Sequence, residues 1–561
     1  MGRYLIEPFD HGDRSDRYAT ERYQGAAGRN WWSCDPTLRL LMWRHLGDGG
    51  GGFAWAEPHL ERLGALMGGL VAECAEETDR NPPRLEKYDK WGRDVSQVVM
   101  PPSFQAARQA LMEDNFTSPS FAAEARAHGA NPAALAAAWT YLLDQADIGM
   151  GCALGTGGDM VVSLAEKHAP EDVRERVREI FADGFYSGEA AQMFTERTGG
   201  SDLAALETTA VPAGDAWLLS GFKWFASNAN GSAFVVLARL PEGAVAPFLV
   251  LWERRDGGRN GVRIRRLKDK LGTRSVASAE VEFAEAEAFL LAGQGSGSGL
   301  GTMMKLTNAS RLGVAMMGLG VARRALVESI CYAGAREAFG RRLIDQPLMR
   351  RKLAELIVEV EAVQAMVFDG HIGPRLRLAP ALIKLRASRL GVTAASDAIE
   401  VHGGNGYIEQ WPVARLLRDA QVNPIWEGGD NILCLDVRRA MLKEQAHLPF
   451  LDHLRALATS DLVLGRVDDL AKAITAWSGL EHAVAEERLY PLAQFMADVY
   501  AAALLEDQAS WGLDHGRKAL VARLYAETHL VDHGPLRGID RTTEVPFEEL
   551  LEGAVTLRSG G

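Results

Sequence analysis

Cysteine is scarce in this sequence, with five residues in a chain of 561. They are far apart, and no two form a CxxC pair or, with histidine, the spacing of a zinc site. The residues are Cys34, Cys74, Cys152, Cys331 and Cys434. This scarcity argues against a disulfide framework or a metal centre. It predicts buried free thiols in a reducing compartment.

Long apolar runs are also missing. No uncharged apolar stretch of about 18 residues occurs, which predicts that no segment spans a membrane. The first residues lack the apolar core and the small-residue cleavage site of a secretory signal. We therefore expect a soluble, cytoplasmic protein.

Positive charge is in deficit. Lys and Arg number 61 against 74 Asp and Glu, which gives a formal net charge of −13. Such an excess of negative charge favours solubility and argues against nucleic acid or an anionic membrane as the main partner.

The remaining composition is that of a globular chain, with 47% hydrophobic and 24% charged residues. The length predicts several domains, and residue patterning divides it into four zones. Residues 1–185 are mainly helical after an irregular start, residues 186–298 carry short apolar and alternating runs typical of strands, and residues 299–444 and 445–561 are helical. The sequence therefore predicts an α+β protein with one β domain among helical ones.

A glycine-rich segment, residues 293–301, closes the β zone. It superficially matches a dinucleotide-binding fingerprint, but no βαβ rhythm surrounds it. We interpret it as a flexible turn between domains.

Three segments contain more chemistry than such a scaffold needs. In Met193–Asp202, the glycines and hydroxyls suit close approach of the backbone to a ligand, and the structural alternative is a capped turn. In Gly221–Asn228, the aromatics suit stacking on a flat conjugated ligand, and the alternative is the aromatic core of a barrel strand. In Asp397–Tyr407 with Asn423–Ile432, the Glu suits a general base whose pKa is raised by burial, and the alternative is an exposed carboxylate at a helix start.

Taken together, these segments resemble the acyl-CoA dehydrogenase family. The order is that of the family: Thr-Glu-x-x-Gly-Gly-Ser-Asp, aromatic-x-Ser, Arg-x-x-Phe-Gly, His-Gly-Gly-Asn-Gly-Tyr and Ile-Trp-Glu-Gly. Five ordered motifs make the match specific, where one alone is weak. Residues 81–93, 267–278 and 423–436, together with the long N-terminal segment and the extra C-terminal zone, resemble the AidB-like, adaptive-response branch.

The resemblance implies an N-terminal helical domain (1–185), a β-barrel (186–298), a helical bundle (299–444) and an additional helical domain (445–561). It also implies FAD as cofactor, an acyl-CoA substrate, an electron-transfer flavoprotein as electron acceptor, and a homotetramer. By the family's motifs, Glu427 is the catalytic base and Arg311 a supporting cation. The residues implied to bind the cofactor are Met193, Thr195, Gly200, Ser201, Phe225, Ser227, Arg336, Phe339, Glu400, Gly403, Gly404, Trp426, Gly428 and Asn431.

Some positions depart from the family pattern. Relatives that place the base on an earlier helix have it at the position of Ser310, and serine cannot take that role. Glu400 and Gly429 stand where many relatives carry Gln and Thr or Ser, and the stacking aromatic is Phe225 or, one position away, Trp224.

Two alternatives use the same scaffold. A flavin acyl-CoA oxidase would pass electrons to oxygen, and the sequence does not separate it from a dehydrogenase. An AidB-like DNA-binding protective protein would need a basic C-terminal zone. From residue 445 onward, ten Lys and Arg face eighteen Asp and Glu, a net charge of −8. DNA binding is therefore disfavoured, unless a local cluster such as Arg517, Lys518 and Arg523 lies on one face.

Overall fold

A computed structural model describes residues 25–47, 50–155, 158–292, 298–535, 537, 539 and 545–557. The start of the chain and residues 293–297 of the glycine-rich segment, both interpreted above, lie outside these ranges. The described residues divide into two compact units. One lies within residues 1–72, 125–146 and 311–561, and the other within residues 73–124 and 147–310.

Helices dominate the described chain. They are α1 (Pro36–His45), α2 (Gly51–Leu66), α3 (Ala72–Arg80), α4 (Pro102–Asp114), α5 (Pro119–Ala127), α6 (Pro132–Ala146), α7 (Ile148–Gly155), α8 (Gly158–His168), α9 (Glu171–Ile180), α10 (Ser298–Ala335), α11 (Pro347–Ile372), α12 (Ala379–His402), α13 (Pro412–Ala420), α14 (Asp430–Glu444), α15 (His447–Leu457), α16 (Asp461–Ser478), α17 (His482–Glu487), α18 (Leu489–Ser510), α19 (Arg517–His529) and α20 (Phe547–Ala554).

The strands fall mostly in the predicted β zone. They are β1 (Arg84–Tyr88), β2 (Asp94–Val99), β3 (Ala190–Met193), β4 (Thr209–Ala213), β5 (Ala216–Ser227), β6 (Ala233–Arg239), β7 (Val245–Leu251), β8 (Val262–Leu267), β9 (Ser278–Leu290), β10 (Glu337–Ala338) and β11 (Arg341–Arg342).

The unit of residues 73–124 and 147–310 is built on a seven-stranded sheet. Its order is β3-β6-β4-β5-β9-β7, with β8 paired to β9, and a further pairing of β6 with β7 closes the ring of strands. Phe234, Val236 and Phe248 point into the core of this sheet, while Val235 and Leu249 pack with residues of α8 and α9. Because β6 and β7 are buried on both faces, they appear in the sequence as continuous apolar runs. The predicted α+β fold with a central sheet domain is confirmed.

One hairpin was not predicted. β1 and β2 pair antiparallel within the zone that the sequence assigns to helices. Lys87 Nζ donates a hydrogen bond to the Ile264 carbonyl (2.6 Å), and Ser96 Oγ accepts one from the Ile264 amide (2.9 Å). These contacts tie the hairpin to β8. The first strand of the hairpin, β1, has five residues, of which three are charged, so it has too few apolar positions to be recognised as a strand from the sequence.

The other unit is helical. α11 contacts α6, α12, α18, α19 and α20, so helices from the predicted C-terminal zone pack directly on it. An apolar stripe whose residues recur every three or four positions, a spacing that predicts one face of a helix, is buried on α11. Its residues are Leu353, Leu356, Val360, Val363 and Val367. The boundaries of the four predicted domains stay a prediction.

All five cysteines are buried free thiols, as the sequence predicts. Within the described ranges, one helical stretch, Ile148–His168, is long and apolar enough to cross a membrane by length and composition, and 60% of its most apolar window is buried inside the structure. A core helix of a folded domain has the same properties.

Candidate active site

Glu427 lies on a turn that directly precedes α14. Its backbone has φ of 55°, the next residue, Gly428, has φ of 97°, and Gly429 is the residue that caps α14. The Glu427 side chain is half-buried. Burial raises the pKa of its carboxyl above the ordinary value of 4.5, and the positive charges of Arg311 and Lys384 offset only part of this rise. A carboxylate with a raised pKa is better suited to accept a proton near neutral pH.

Arg311 contacts the backbone of Glu427. Its Nε donates to the Glu427 carbonyl oxygen (3.4 Å), and its Nη1 forms an ion pair with Asp436 Oδ2 (2.5 Å). Asp436 is also bound by Arg377 (2.7 Å). Burial acts to raise the pKa of Asp436, but the two guanidinium groups lower it below its ordinary range. The predicted supporting cation is thus fixed by a buried carboxylate, donates to the turn that carries Glu427, and favours the ionised Glu427 carboxylate through its charge.

Lys384 is a residue of this site that the sequence reasoning missed. It is fully buried on α12, and its Nζ donates to the Gly428 carbonyl oxygen (2.7 Å). Burial lowers its pKa to about 8. The sequence does contain an indication of this residue: Lys384 is the single charged residue in the otherwise apolar run Ala381–Leu385. A lysine in such a run is expected to be buried, and a buried lysine usually has a specific partner.

Trp426 and Asn431 complete the turn around Glu427. The indole nitrogen of Trp426, the residue before Glu427 in the chain, donates to Asn423 Oδ1 (3.2 Å). This hydrogen bond fixes the half-buried Trp426 ring. Asn431 is exposed in the first turn of α14. The structure therefore brings four predicted residues together at one helix start: Trp426, Glu427, Gly428 and Asn431.

The predicted pyrophosphate and adenosine contacts lie at the ends of α10 and α12. Arg336 is exposed, and Phe339, on the short β10–β11 hairpin, is 97% exposed. Tyr332 links the two helix ends, because its carbonyl accepts from the Arg336 amide (2.8 Å) and its hydroxyl from Asn405 Nδ2 (3.2 Å). These predicted residues therefore belong to one connected surface region.

The glycine turn after α12 leaves room for a ligand. Gly403 has φ of 59°, and neither it nor Gly404 would meet another atom within 4 Å if it carried a Cβ. Glu400 precedes this turn and forms an ion pair with Lys352 (3.0 Å). Lys352 thereby neutralises part of the negative charge that this departure from the family pattern introduces.

In the sheet unit, the Thr-Glu-x-x-Gly-Gly-Ser-Asp segment is anchored by its glutamate. Glu196 is buried and accepts from Lys223 Nζ (2.6 Å) and Thr208 Oγ1 (2.5 Å). Burial acts to raise the pKa of Glu196, but these donors lower it below its ordinary range. Sequence reasoning assigned no role to Glu196 or Lys223; the pair anchors the loop that carries the hydroxyls.

The candidate ligand contacts of this segment surround that anchor. Met193 is fully buried at the end of β3, and the Thr195 carbonyl accepts from the Trp224 amide (2.9 Å). Gly200 and Ser201 are exposed. The segment thus presents its glycine and serine at the surface while its first residues are held by strands.

The two candidate stacking aromatics differ in environment. The Trp224 ring is covered by cations, with Lys268 Nζ at 3.1 Å and Arg197 at 4.8 Å from its centroid. Lys268 Nζ is farther from the Phe225 ring, at 4.9 Å from its centroid, and Phe225 is 48% exposed. Ser227 Oγ lies 3.0 Å from Ser278 Oγ. The accessible ring is therefore Phe225, which favours the aromatic-x-Ser alignment of Phe225 with Ser227.

The C-terminal basic cluster does not form a surface patch. Arg517 and Lys518 are buried and both pair with Glu361, at 2.5 and 2.7 Å, and Arg523 pairs with Glu527 (3.3 Å). The three cations, named above as the one exception that would favour DNA binding, therefore do not share an exposed face, because two of them neutralise a buried carboxylate.

Comparisons with known proteins agree with the motifs. Models of the acyl-CoA dehydrogenase C-terminal domain, the acyl-CoA dehydrogenase middle domain and the adaptive response protein AidB N-terminal domain match residues 297–442, 191–286 and 23–182. The chain is 32% identical to AidB of Escherichia coli (strain K12) over 416 residues, which cover 70% of this chain and 75% of AidB.

Two solved structures share the fold. Caenorhabditis elegans ACDH-11 in complex with C11-CoA has a TM-score of 0.80 at 24% identity, covering 95% of this chain and 94% of that chain. An acyl-CoA dehydrogenase from Bacillus anthracis complexed with FAD has a TM-score of 0.62 at 18% identity, covering 86% and 93%.

Proposed function

The chain belongs to the acyl-CoA dehydrogenase family, in its AidB-like branch, and from this premise we propose that it is a FAD-dependent enzyme that dehydrogenates an acyl-CoA thioester. The reaction removes a proton from the α-carbon and a hydride from the β-carbon and forms a carbon–carbon double bond between them. The observation that carries the proposal is the half-buried Glu427 carboxyl with its raised pKa, on a turn whose two carbonyls are bound by buried cations.

Each of the two units carries residues that fit one part of FAD. Arg336 offers a cation and Gly403 and Gly404 an open backbone for a pyrophosphate, while Phe225 offers an accessible ring and Ser227 a hydroxyl for a flavin. When bound, FAD supplies the acceptor for the hydride. The FAD complex of the Bacillus anthracis neighbour and the C11-CoA complex of ACDH-11 support the choice of cofactor and of substrate class.

Glu427 takes the α-proton in this proposal. An α-proton next to a thioester is weakly acidic, so the base must be close, correctly oriented and sufficiently basic. Desolvation supplies the basicity, and Arg311 and Lys384 hold the backbone from which the carboxylate projects.

We further propose that the protein is a cytoplasmic homotetramer that passes its electrons to an electron-transfer flavoprotein. The 97% exposure of Phe339 and the 90% exposure of Tyr407 support an interface, because covering these two rings with another chain would remove a large apolar area from water.

The test is an anaerobic titration of the purified flavoprotein with acyl-CoAs of graded chain length. We expect bleaching of the flavin absorbance, and a rate of bleaching roughly 10²- to 10⁴-fold lower in Glu427→Gln, the range that a general base contributes. Asp507→Asn is the matched control, because burial also raises the pKa of Asp507 but the residue lies on α18, outside the site. If no acyl-CoA bleaches the wild-type flavin, or if Glu427→Gln is as fast as wild type, the proposal is wrong. Release of peroxide during turnover in air would favour the oxidase.

A further inference from the structure

The turn that carries Glu427 needs external support. Glu427 and Gly428 adopt left-handed backbone conformations in succession, and for a residue with a Cβ this region is sparsely populated. Such conformations persist only where the surroundings hold them, and they concentrate at functional sites. A small change of backbone at this turn would redirect the Glu427 carboxylate.

Two buried cations from two helices bind this turn. Arg311 of α10 donates to the Glu427 carbonyl (3.4 Å), and Lys384 of α12 donates to the Gly428 carbonyl (2.7 Å). The Lys384 contact is the shorter of the two and well within hydrogen-bond range. Arg311 is in addition fixed by Asp436, whereas the ammonium of Lys384 makes its only hydrogen bond among the described residues with Gly428.

Stability does not explain Lys384. It is fully buried in an apolar stretch of α12, and no carboxylate pairs with it within the described chain, although Asp430 and Glu427 contribute favourable charge at longer range. Burying an ammonium with a single carbonyl partner is unfavourable, and an apolar side chain of similar volume would commonly be neutral or stabilising. The burial of this charge therefore points to a role in the geometry of the turn.

We propose that Lys384 is a positioning residue for the proton acceptor: its ammonium fixes the Gly428 carbonyl and so holds the left-handed turn that orients the Glu427 carboxylate. The proposal rests on the function of Glu427 proposed above. It predicts that removal of the ammonium impairs proton abstraction and loosens the turn, while substrate binding changes little.

The variant is Lys384→Met, which keeps the length of the aliphatic stem and removes the donor. Its control is Lys518→Met, also at a fully buried lysine, which leaves Glu361 paired with Arg517. In the holoenzyme, we expect Lys384→Met to lower the limiting rate constant of anaerobic flavin bleaching roughly 100-fold, the cost of a displacement of about 1 Å at a reacting group. The acyl-CoA concentration that gives half of this limiting rate should stay within about threefold of wild type. The kinetic isotope effect of an α-deuterated acyl-CoA should rise because proton transfer becomes more rate-limiting.

A second measurement does not depend on activity. Hydrogen exchange of the amides in residues 427–433 should be at least roughly tenfold faster in Lys384→Met than in wild type, as expected from the loss of a charge-assisted hydrogen bond. Lys518→Met should leave exchange in this segment unchanged. If Lys384→Met does not fold, Lys384→Leu, which also lacks a donor, is judged by the same two measurements.

The outcomes separate the two proposals. If acyl-CoA bleaches the wild-type flavin and Lys384→Met bleaches with the same limiting rate constant, the proposed role of Lys384 is wrong and the dehydrogenase proposal stands. Absence of wild-type bleaching overturns the dehydrogenase, and hydrogen exchange then decides whether Lys384 holds the turn. Unchanged exchange in residues 427–433 overturns the positioning role in either case.

Discussion

Replacement of Glu361 by glutamine should release α19 from the bundle. The Glu361 carboxylate is buried on α11 and pairs with Arg517 and Lys518 at the start of α19. Burial alone would raise the pKa of Glu361, but the charges and hydrogen bonds of these two cations lower it from 4.5 to about 2. That difference corresponds to about 3 kcal/mol of stability at neutral pH, which agrees with the roughly 3–5 kcal/mol lost when one partner of a buried pair is removed.

The assay is hydrogen exchange of the α19 amides, because it reports the local opening free energy without requiring the whole chain to unfold in one step. A loss of about 3 kcal/mol makes exchange roughly 100-fold faster in Glu361→Gln. Glu548→Gln is the control, since Glu548 makes an exposed pair with Arg350 (2.8 Å) and should change exchange by less than about fivefold.

The sign of the pH dependence gives a second check. The folded pKa of Glu361 is depressed, so its contribution is fully present above pH 4.5 and is lost as pH falls towards 2. Wild type should therefore lose protection of α19 through this window, and Glu361→Gln should lack this component. Exchange in Glu361→Gln within about fivefold of wild type would refute the reasoning.

Two further predictions concern the active site. The rate of flavin bleaching by an acyl-CoA should rise with pH through a pKa above 4.5, because burial raises the pKa of Glu427 and only the deprotonated carboxyl accepts the α-proton. Stopped-flow measurements of this rate across pH 4.5–9 test the prediction, and a rate that does not change with pH would contradict it. Phe225→Ala should weaken flavin retention roughly tenfold, whereas Trp224→Ala should alter it less because cations cover the Trp224 ring. Gel filtration followed by flavin absorbance compares the two variants, and a larger loss in Trp224→Ala would reverse the assignment.

Much of the fold was predictable because its elements follow local patterns. The continuous apolar runs around Phe234 and Phe248 predicted strands that the sheet confirms, and the apolar stripe of α11 predicted a buried helix face. The β1–β2 hairpin was not predictable in this way, since its pairing with β8 depends on contacts such as that of Lys87 with the Ile264 carbonyl, more than 150 residues away in the chain.

The candidate site was predictable only through ordered motifs. Those motifs identify Glu427 and its neighbours along the chain, but not the residues that reach the turn from other helices. Lys384 lies on α12, 43 positions from Glu427, and its contact with Gly428 is a property of the packing of α12 beside α14. The same holds for Glu196 and Lys223, whose pairing is invisible to a pattern that treats charged residues as exposed.

Charge counting fails for the same reason in the C-terminal zone. The net charge of −8 from residue 445 onward counts Arg517 and Lys518 as if they were exposed, although the structure buries both against Glu361. The exposed surface of this zone is therefore more acidic than its net charge suggests. The two buried lysines also differ in what they imply. Lys518 shares a carboxylate, so its charge is compensated and its removal should mainly affect stability. Among the described residues, Lys384 donates only to the Gly428 carbonyl. Its burial therefore does not favour stability, which is why we assign it to the geometry of the turn that carries Glu427.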